Sequence, residues 1–454
     1  MVIKRQLHNI VRAVLLILVM NAAFLGFMTV TFMIPSEGKV HMHLEESMEQ
    51  WAGDTQEPLF FDNRIVWSDL NSDLIWANMA SVSAEHPLHA AIEMPWKQTS
   101  ADGEDKMMQY LIAAMYYPDD PGTFTVSYSR YWMLSEGILR VLLYFCNIGE
   151  IRYLYWITAA ALILFLITGV HGLLGWRGSL PLAAAILARS WLLHTVCLST
   201  SADIFLTLAA MLVLVLKRRR QSAVISMPDE RCHAGIAGRQ STGPSKFDMD
   251  RLRDTRGIWV IFLVTGMFSC ALGPLVAPLL TLGMPLLLEL VLFHERDERR
   301  ETWFHVIGYS ATWAIGYVSA MVCKAILAQL VLGSQSASDM FGYYLGPGQG
   351  ITERLSRIGY CFERLFAPAN VKAPAFVLLV AILTVLLIRR HERFPVMWAT
   401  LFVSLYPIAW IFIVVEHSKH NFASNILSIL VYGPLTVLCS SIGQNHECDR
   451  TGQK

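Results

Sequence analysis

Asp69 and Asp73, in the run Ser68-Asp69-Leu70-Asn71-Ser72-Asp73, are the first residues whose types and spacing suit chemistry. If a helix begins there, two carboxylates four apart share a face. Such a pair can bind a divalent metal, take a proton from a sugar hydroxyl or stabilise a cationic transition state. The structural alternative is that Asp near a helix N-terminus caps amides and offsets the dipole. A second group is Tyr128-Ser129-Arg130-Tyr131-Trp132. An Arg among aromatics can clamp a phosphate with two N–H donors while rings flank a sugar or lipid stem. The same residues also suit an interfacial aromatic belt with a snorkelling Arg. A third group is Glu416-His417-Ser418-Lys419-His420, where His417, Lys419 and His420 can hold diphosphate or a metal, or simply form a solvated turn. Arg189 and Lys324, with His194 and Asp203 nearby, lie within apolar runs. A cation there is costly and usually faces a polar cavity or a partner. Lys324 can snorkel; Arg189 is the harder of the two to place without a function.

The elements that must position these residues are membrane helices. An apolar run of about 20 residues is long enough to cross a bilayer. The pattern predicts ten: Ile10–Pro35, Ile151–Leu174, Pro181–Ser199, Ile204–Leu216, Ile258–Leu272, Leu275–Phe293, His305–Leu332, Pro374–Ile388, Pro395–Val415 and Phe422–Ile442. The two short runs at 181–199 and 204–216 also suit a re-entrant pair. The first run has no small-residue cleavage site and reads as a retained anchor. Lys217-Arg218-Arg219-Arg220, Arg296 to Arg300 and Arg389 to Arg393 fall on alternate connections. The positive-inside rule then puts both termini and these basic blocks in the cytoplasm. Formal net charge is +0, yet 36–150 holds 18 Asp and Glu against a handful of Lys and Arg, so no basic surface of the nucleic-acid type faces outward.

The expected class is thus an all-α, polytopic membrane helix bundle of about ten spans in the cell membrane. Residues 1–35 form the tail and first span, and 36–150 a large outer loop. Residues 151–216 carry spans two to four, 217–257 a polar cytoplasmic linker, 258–442 the last six spans, and 443–454 a tail. Within the first loop, Asp73–Glu85, Lys106–Tyr117 and Glu136–Cys146 read as helices, and Thr123–Tyr128 as extended chain. Short aromatic helices of this kind suit packing on the bilayer surface. A second outer loop, 333–372, holds an amphipathic helix from Ile351. Tyr343 and Tyr344 precede it in a Gly-rich stretch suited to gating a site. The eight Cys show no metal-ligand spacing and read mainly as free thiols, one disulfide among Cys146, Cys197 and Cys361 being the alternative. With no Walker or GxGxxG pattern, nucleotide hydrolysis is not an expected energy source.

This layout resembles the GT-C superfamily of integral-membrane glycosyltransferases. More narrowly, the chain is similar to a group of bacterial multi-pass proteins whose first loop carries Thr/Ser-Asp followed by Asn-x-Ala. Ser72-Asp73 and Asn78-Met79-Ala80 match. Their loop ends Tyr-x-Arg-Tyr-Trp-His-Gly-Tyr; Tyr128 to Trp132 match, and Met133-Leu134-Ser135 depart. Their last outer turn carries His-Ser and a further His, matched by His417-Ser418 and His420. The resemblance implies a polyprenyl-phosphate sugar donor and a glycan, lipid or protein acceptor on the outer face. It makes Asp69 or Asp73 the essential carboxylate, with or without a divalent metal. Arg130, Arg189, His417, Lys419 and His420 would then meet the donor phosphate, and Tyr128, Tyr131, Trp132, Tyr343 and Tyr344 the sugar or lipid. A transporter or flippase for a lipid-linked or anionic solute is the alternative, since it shares the intramembrane cations and interrupted spans.

Overall fold

The computed structural model describes residues 2–53, 70–100, 106–226, 257–273, 277–293, 299–333, 350–366, 396–413 and 428–439. Of the positions singled out above, Asp69, Tyr343, Tyr344, His417, Lys419 and His420 lie outside these residues, as does the expected span 374–388.

The described chain is mainly helical. In order it runs α1 (Val2–Phe32), α2 (Lys39–Gly53), α3 (Leu70–Ser81), α4 (Pro87–Glu93), β1 (Pro95–Thr99), α5 (Lys106–Tyr116), β2 (Thr123–Ser127) and α6 (Leu134–Leu143). Then come α7 (Ile148–Leu174), α8 (Trp176–Arg189), α9 (Trp191–His194), α10 (Leu198–Ser226), α11 (Ile258–Leu272), α12 (Pro278–Phe293), α13 (Arg299–Leu332), α14 (Ile351–Phe366), α15 (Met397–Ser404) and α16 (Tyr406–Ile413). A last apolar helix, α17, covers Ser428–Cys439.

Four segments are long and apolar enough to cross a membrane: His8–Phe32, Ile148–Leu174, Leu198–Ala223 and Glu301–Leu332. Ile258–Leu272, Pro278–Phe293, Met397–Ile413 and Ser428–Cys439 are shorter apolar helices. Large apolar side chains such as Leu18, Val19, Leu164 and Phe165 stand more than half exposed on α1 and α7. Such a surface is stable in lipid and not in water. By contrast every residue of α12 is buried, so this helix fills the middle of the bundle.

The expected pair 181–199 and 204–216 takes a different form. α8 is only about 21 Å long at 1.5 Å per residue and ends at Arg189. Ser190 adopts φ 56°, a left-handed conformation that stops the helix. After the single turn of α9, one continuous helix starts at Leu198, so the expected connection around 200–203 lies inside α10. α10 also runs on through Lys217–Arg220, past the expected start of the linker. The break at Ser190 is pinned from the far end of the chain. Trp191 Nε1 donates to Ser428 Oγ at 2.8 Å, and Ser428 Oγ donates to Ala185 O at 3.0 Å.

The tightest seam joins α11 and α13. A Cβ built on Gly266 would collide with Trp313 O, and one on Gly316 with Leu263 O. Reciprocal glycines let the two backbones touch, as small residues do between membrane helices. Gly266→Val is therefore expected to destabilise the fold by at least about 1–3 kcal/mol. The check is the thermal midpoint of purified protein in detergent; an unchanged midpoint would contradict the seam.

The first loop folds back on the bundle as helices with one small antiparallel ribbon, Pro95 pairing Ser127 and Thr99 pairing Thr123. Asn78 acts as a clip on this ribbon. Its Nδ2 donates to Lys97 O at 2.9 Å and its Oδ1 accepts from Lys97 N at 2.8 Å. In the other loop, α14 packs on α16, where Arg354 Nη1 donates to the terminal carbonyls of Phe412 and Ile413 at 2.9 and 3.0 Å.

Candidate functional site

Three helices of different origin converge at the start of α10. α3 brings Asp73 in its first turn, α7 brings Arg152 in its second, and α8 ends in Arg189. Asp73 is fully buried. Its Oδ2 accepts from Leu198 N at 3.2 Å, and its Oδ1 accepts from Ser199 N at 3.1 Å and from Cys197 Sγ at 3.7 Å. Arg152 Nη2 stands 3.8 Å from Oδ2. Asp73 thus caps the N-terminus of α10 from another helix, where a negative charge also meets the positive end of the dipole. Ser72 and Asn71 sit inside the first turn of α3 rather than before it.

Arg189 and Asp203 form the second half of the cluster, 2% and 1% exposed. The two charges interact, and Arg189 also feels Cys197. Asp203 Oδ2 accepts from Ala277 N at 2.7 Å, one residue ahead of α12. Its Oδ1, and Nε and Nη2 of Arg189, have no hydrogen-bond partner among the described residues. Native proteins pair nearly all buried polar atoms, so orphans of this kind call for a ligand, water or ion. Cys197 joins the halves, bonding Asp73 and sitting 3.2 Å from Ser199 Oγ. Nδ1 of His194 lies 3.2 Å from Ser190 O. Among the described residues no group of three His, Cys, Asp or Glu could hold a metal ion.

The Tyr128–Trp132 run builds a different cluster. Arg130 lies over the rings of Tyr128 and Tyr131, at 4.7 and 5.3 Å from their centroids. Tyr128 N donates to the carbonyls of Glu93 and Met94 at the end of α4. Tyr131 and Trp132 are buried, and Trp132 Nε1 donates to Ala320 O on α13 at 2.9 Å. Trp132 therefore anchors the loop to a long helix instead of standing in an aromatic belt. Lys324 has a similar duty. Its ammonium sits 5.0 Å above the Trp132 ring and donates to Ala91 O and Ile92 O at 3.0 and 2.9 Å, satisfying the last turn of α4. It does not snorkel: the side chain is fully buried.

Sequence reasoning missed Arg152, Cys197 and, above all, Glu136 and Arg140. Arg140 bonds Ile34 O and Val82 O, tying the end of α1 to the chain leaving α3. Glu136, one turn earlier, is fully buried, and neither carboxylate oxygen has a hydrogen-bond partner among the described residues. Burial pushes its carboxyl up to about 7, with Arg140 opposing. The neighbouring Gly137 was the available signal, since a Cβ there would crowd Met28 and Phe27 of α1.

Glu136 gives a pH-dependent stability. Its folded pKa lies above the ordinary value of 4.5, so the folded form keeps the proton that the unfolded chain loses. Stability is full below about 4.5 and falls as pH rises to about 7, by on the order of 3 kcal/mol. Glu136→Gln is expected to flatten that decline. Thermal midpoints of both proteins across this range test it, and parallel curves would exclude the assignment.

The six described cysteines, 146, 197, 270, 323, 361 and 439, are all free thiols. No family model, no curated protein and no solved structure matches the chain.

Proposed function

We propose that the protein is a cell-membrane glycosyltransferase that moves a sugar from a polyprenyl-phosphate donor to an acceptor on the outer face. In this reading the chain crosses the membrane ten times, with both termini in the cytoplasm and the first loop outside. The observation that carries it is the buried Arg189 guanidinium, with two nitrogens lacking hydrogen-bond partners among the described residues, beside Asp203. A phosphate oxygen would complete both donors, and charge-assisted bonds to phosphate are the strong class. The site lies where the helices of the first loop meet the apolar helices, and in this reading the lipid-linked donor would come from the bilayer and the acceptor from water. Asp203 Oδ1 is the carboxylate atom left open to take the acceptor proton; both Asp73 oxygens already hold α10. Asp73 then serves as a positioning residue, and Asp69, outside the described residues, is the other candidate for the essential carboxylate that the resemblance implies. Arg130 would meet a donor phosphate, and its flanking Tyr128 and Tyr131 the sugar or lipid stem, at the other end of the loop.

A transporter or flippase for the same kind of lipid has one observation in its favour. The left-handed break at Ser190 gives a discontinuous helix with charged residues beside it, a common design for a midplane binding site. The deciding experiment supplies purified protein with a polyprenyl-phosphate carrying a radiolabelled sugar. Label passing to an acceptor supports the transferase. Lipid moving between leaflets of a vesicle with its sugar intact replaces that reading with the flippase.

A further inference from the structure

We propose that the groove between α1 and α6 is a binding site for an anionic phospholipid, separate from the Arg189 cluster. The groove has a volume of about 590 Å³ and is lined by Val30, Met33, Ile34, Pro35, Val141, Tyr144 and Phe145. Among the described lining residues none carries a charge, and the Tyr144 hydroxyl is the one side-chain polar atom. Two observations identify the occupant. The first is continuity with the bilayer. The wall residues Val30, near the end of α1, and Met33, just past it, are exposed apolar side chains, 59% and 62% accessible, at the end of a helix long and apolar enough to span a membrane. Phe145 closes the opposite rim at 68% exposure. An acyl chain can enter from the membrane without crossing water.

The second observation is charge. Lys39, in the first turn of α2, holds its ammonium 4.7 Å above the Tyr144 ring, at the edge of the groove. A cation–π contact fixes the ammonium there and leaves its N–H donors for a headgroup phosphate. The walls are also rigid. Arg140 ties Ile34 of one wall to α6, and Gly137 seats α6 directly on Met28 and Phe27. A groove held open by a buried cation and a helix-to-helix contact is preformed, which lowers the cost of binding. The occupant is therefore an apolar chain in the groove with a phosphate at Lys39.

The test uses the full chain in phosphatidylcholine nanodiscs with and without phosphatidylglycerol. Spin-labelled lipids of each headgroup report the immobilised fraction, and the thermal midpoint reports folding. The wild type is expected to immobilise phosphatidylglycerol preferentially. Lys39→Gln should reduce that preference about fivefold, since one Lys near an anionic surface is worth about 1 kcal/mol. Val141→Trp, which fills the groove, should abolish immobilisation of either headgroup. Should it fail to fold, Phe145→Ala at the exposed rim is expected to shorten the bound lifetime. Equal binding of both headgroups, or normal binding in both groove variants, overturns the proposal. So does displacement of phosphatidylglycerol by stoichiometric polyprenyl phosphate, which would make the groove part of a donor site.

Discussion

Replacing Asp73 with alanine is expected to cost the folded protein roughly 2–5 kcal/mol, more than any other single change in the first loop. Three losses add. The amides of Leu198 and Ser199 lose their carboxylate acceptor, Cys197 loses one of its partners, and Arg152 loses a nearby negative charge. Because the side chain of Arg152 is 11% exposed and 3.8 Å away, its share is the smallest. Asp73→Asn is the more instructive change. At an ordinary cap, Asn serves nearly as well as Asp, because one oxygen does the work. Here each carboxylate oxygen holds a different amide, so an Asn must turn its NH2 group against one of two N–H donors. Its cost should approach that of alanine, and Asp73→Glu should not rescue it, since the longer chain has no space at a fully buried position. Thermal midpoints in detergent measure this directly. A near-normal midpoint for Asp73→Asn, combined with lost transfer of a lipid-linked sugar, would instead make Asp73 the essential carboxylate that the family resemblance suggested.

That reversal illustrates which features the sequence carries and which it withholds. One helix in each outer loop was legible because its apolar residues recur with helical period: Lys106–Tyr116 lies within a residue of expectation and Ile351–Phe366 begins at the expected residue, whereas Lys39–Gly53 and Pro87–Glu93 were not foreseen. The extended stretch from Thr123 was legible from the breaker ahead of it. What was illegible is every pairing across sequence distance. Asp73 looks like a local cap because local caps are common; that it caps a helix 125 residues away depends on how α3 packs on α10. Lys324 looks like a snorkelling cation until α4 is found to end against it, 232 residues earlier. The run 181–199 read as one continuous helix because composition records how apolar a run is, and not that Ser190 takes a left-handed conformation within it. Glu136 went unnoticed for the converse reason. In a short amphipathic segment an acidic residue reads as the wet face, and only packing against α1 makes it a dry one.

Removing Arg189 separates stability from activity in a way that a purely structural cluster cannot. Arg189→Met substitutes an apolar chain of similar length for a buried guanidinium. On its own this leaves Asp203 charged, buried and half-satisfied, so a loss of about 3–5 kcal/mol is expected. Adding Asp203→Asn removes the stranded charge and retains an oxygen for the amide of Ala277. The double variant should regain most of that loss, because an apolar or neutral replacement of a buried ion pair is often neutral or stabilising. Strong non-additivity in the cycle is the expected signature of two groups that interact directly. Transfer behaves differently. If Arg189 supplies donors to the donor phosphate, turnover should fall by about 10²–10³ in the single variant, and in the double, which also lacks the Asp203 base, it should stay at least as low although the double folds well. Activity that recovers in step with stability would return the pair to a structural role and leave the phosphate site elsewhere. The measurement is turnover of a polyprenyl-phosphate sugar at matched amounts of folded protein, with the midpoint of each variant read in parallel. Arg189→Lys sharpens the result. It preserves the charge beside Asp203 but not the two-pronged geometry, so near-normal stability with poor turnover would identify planar recognition of phosphate as the reason an arginine stands there.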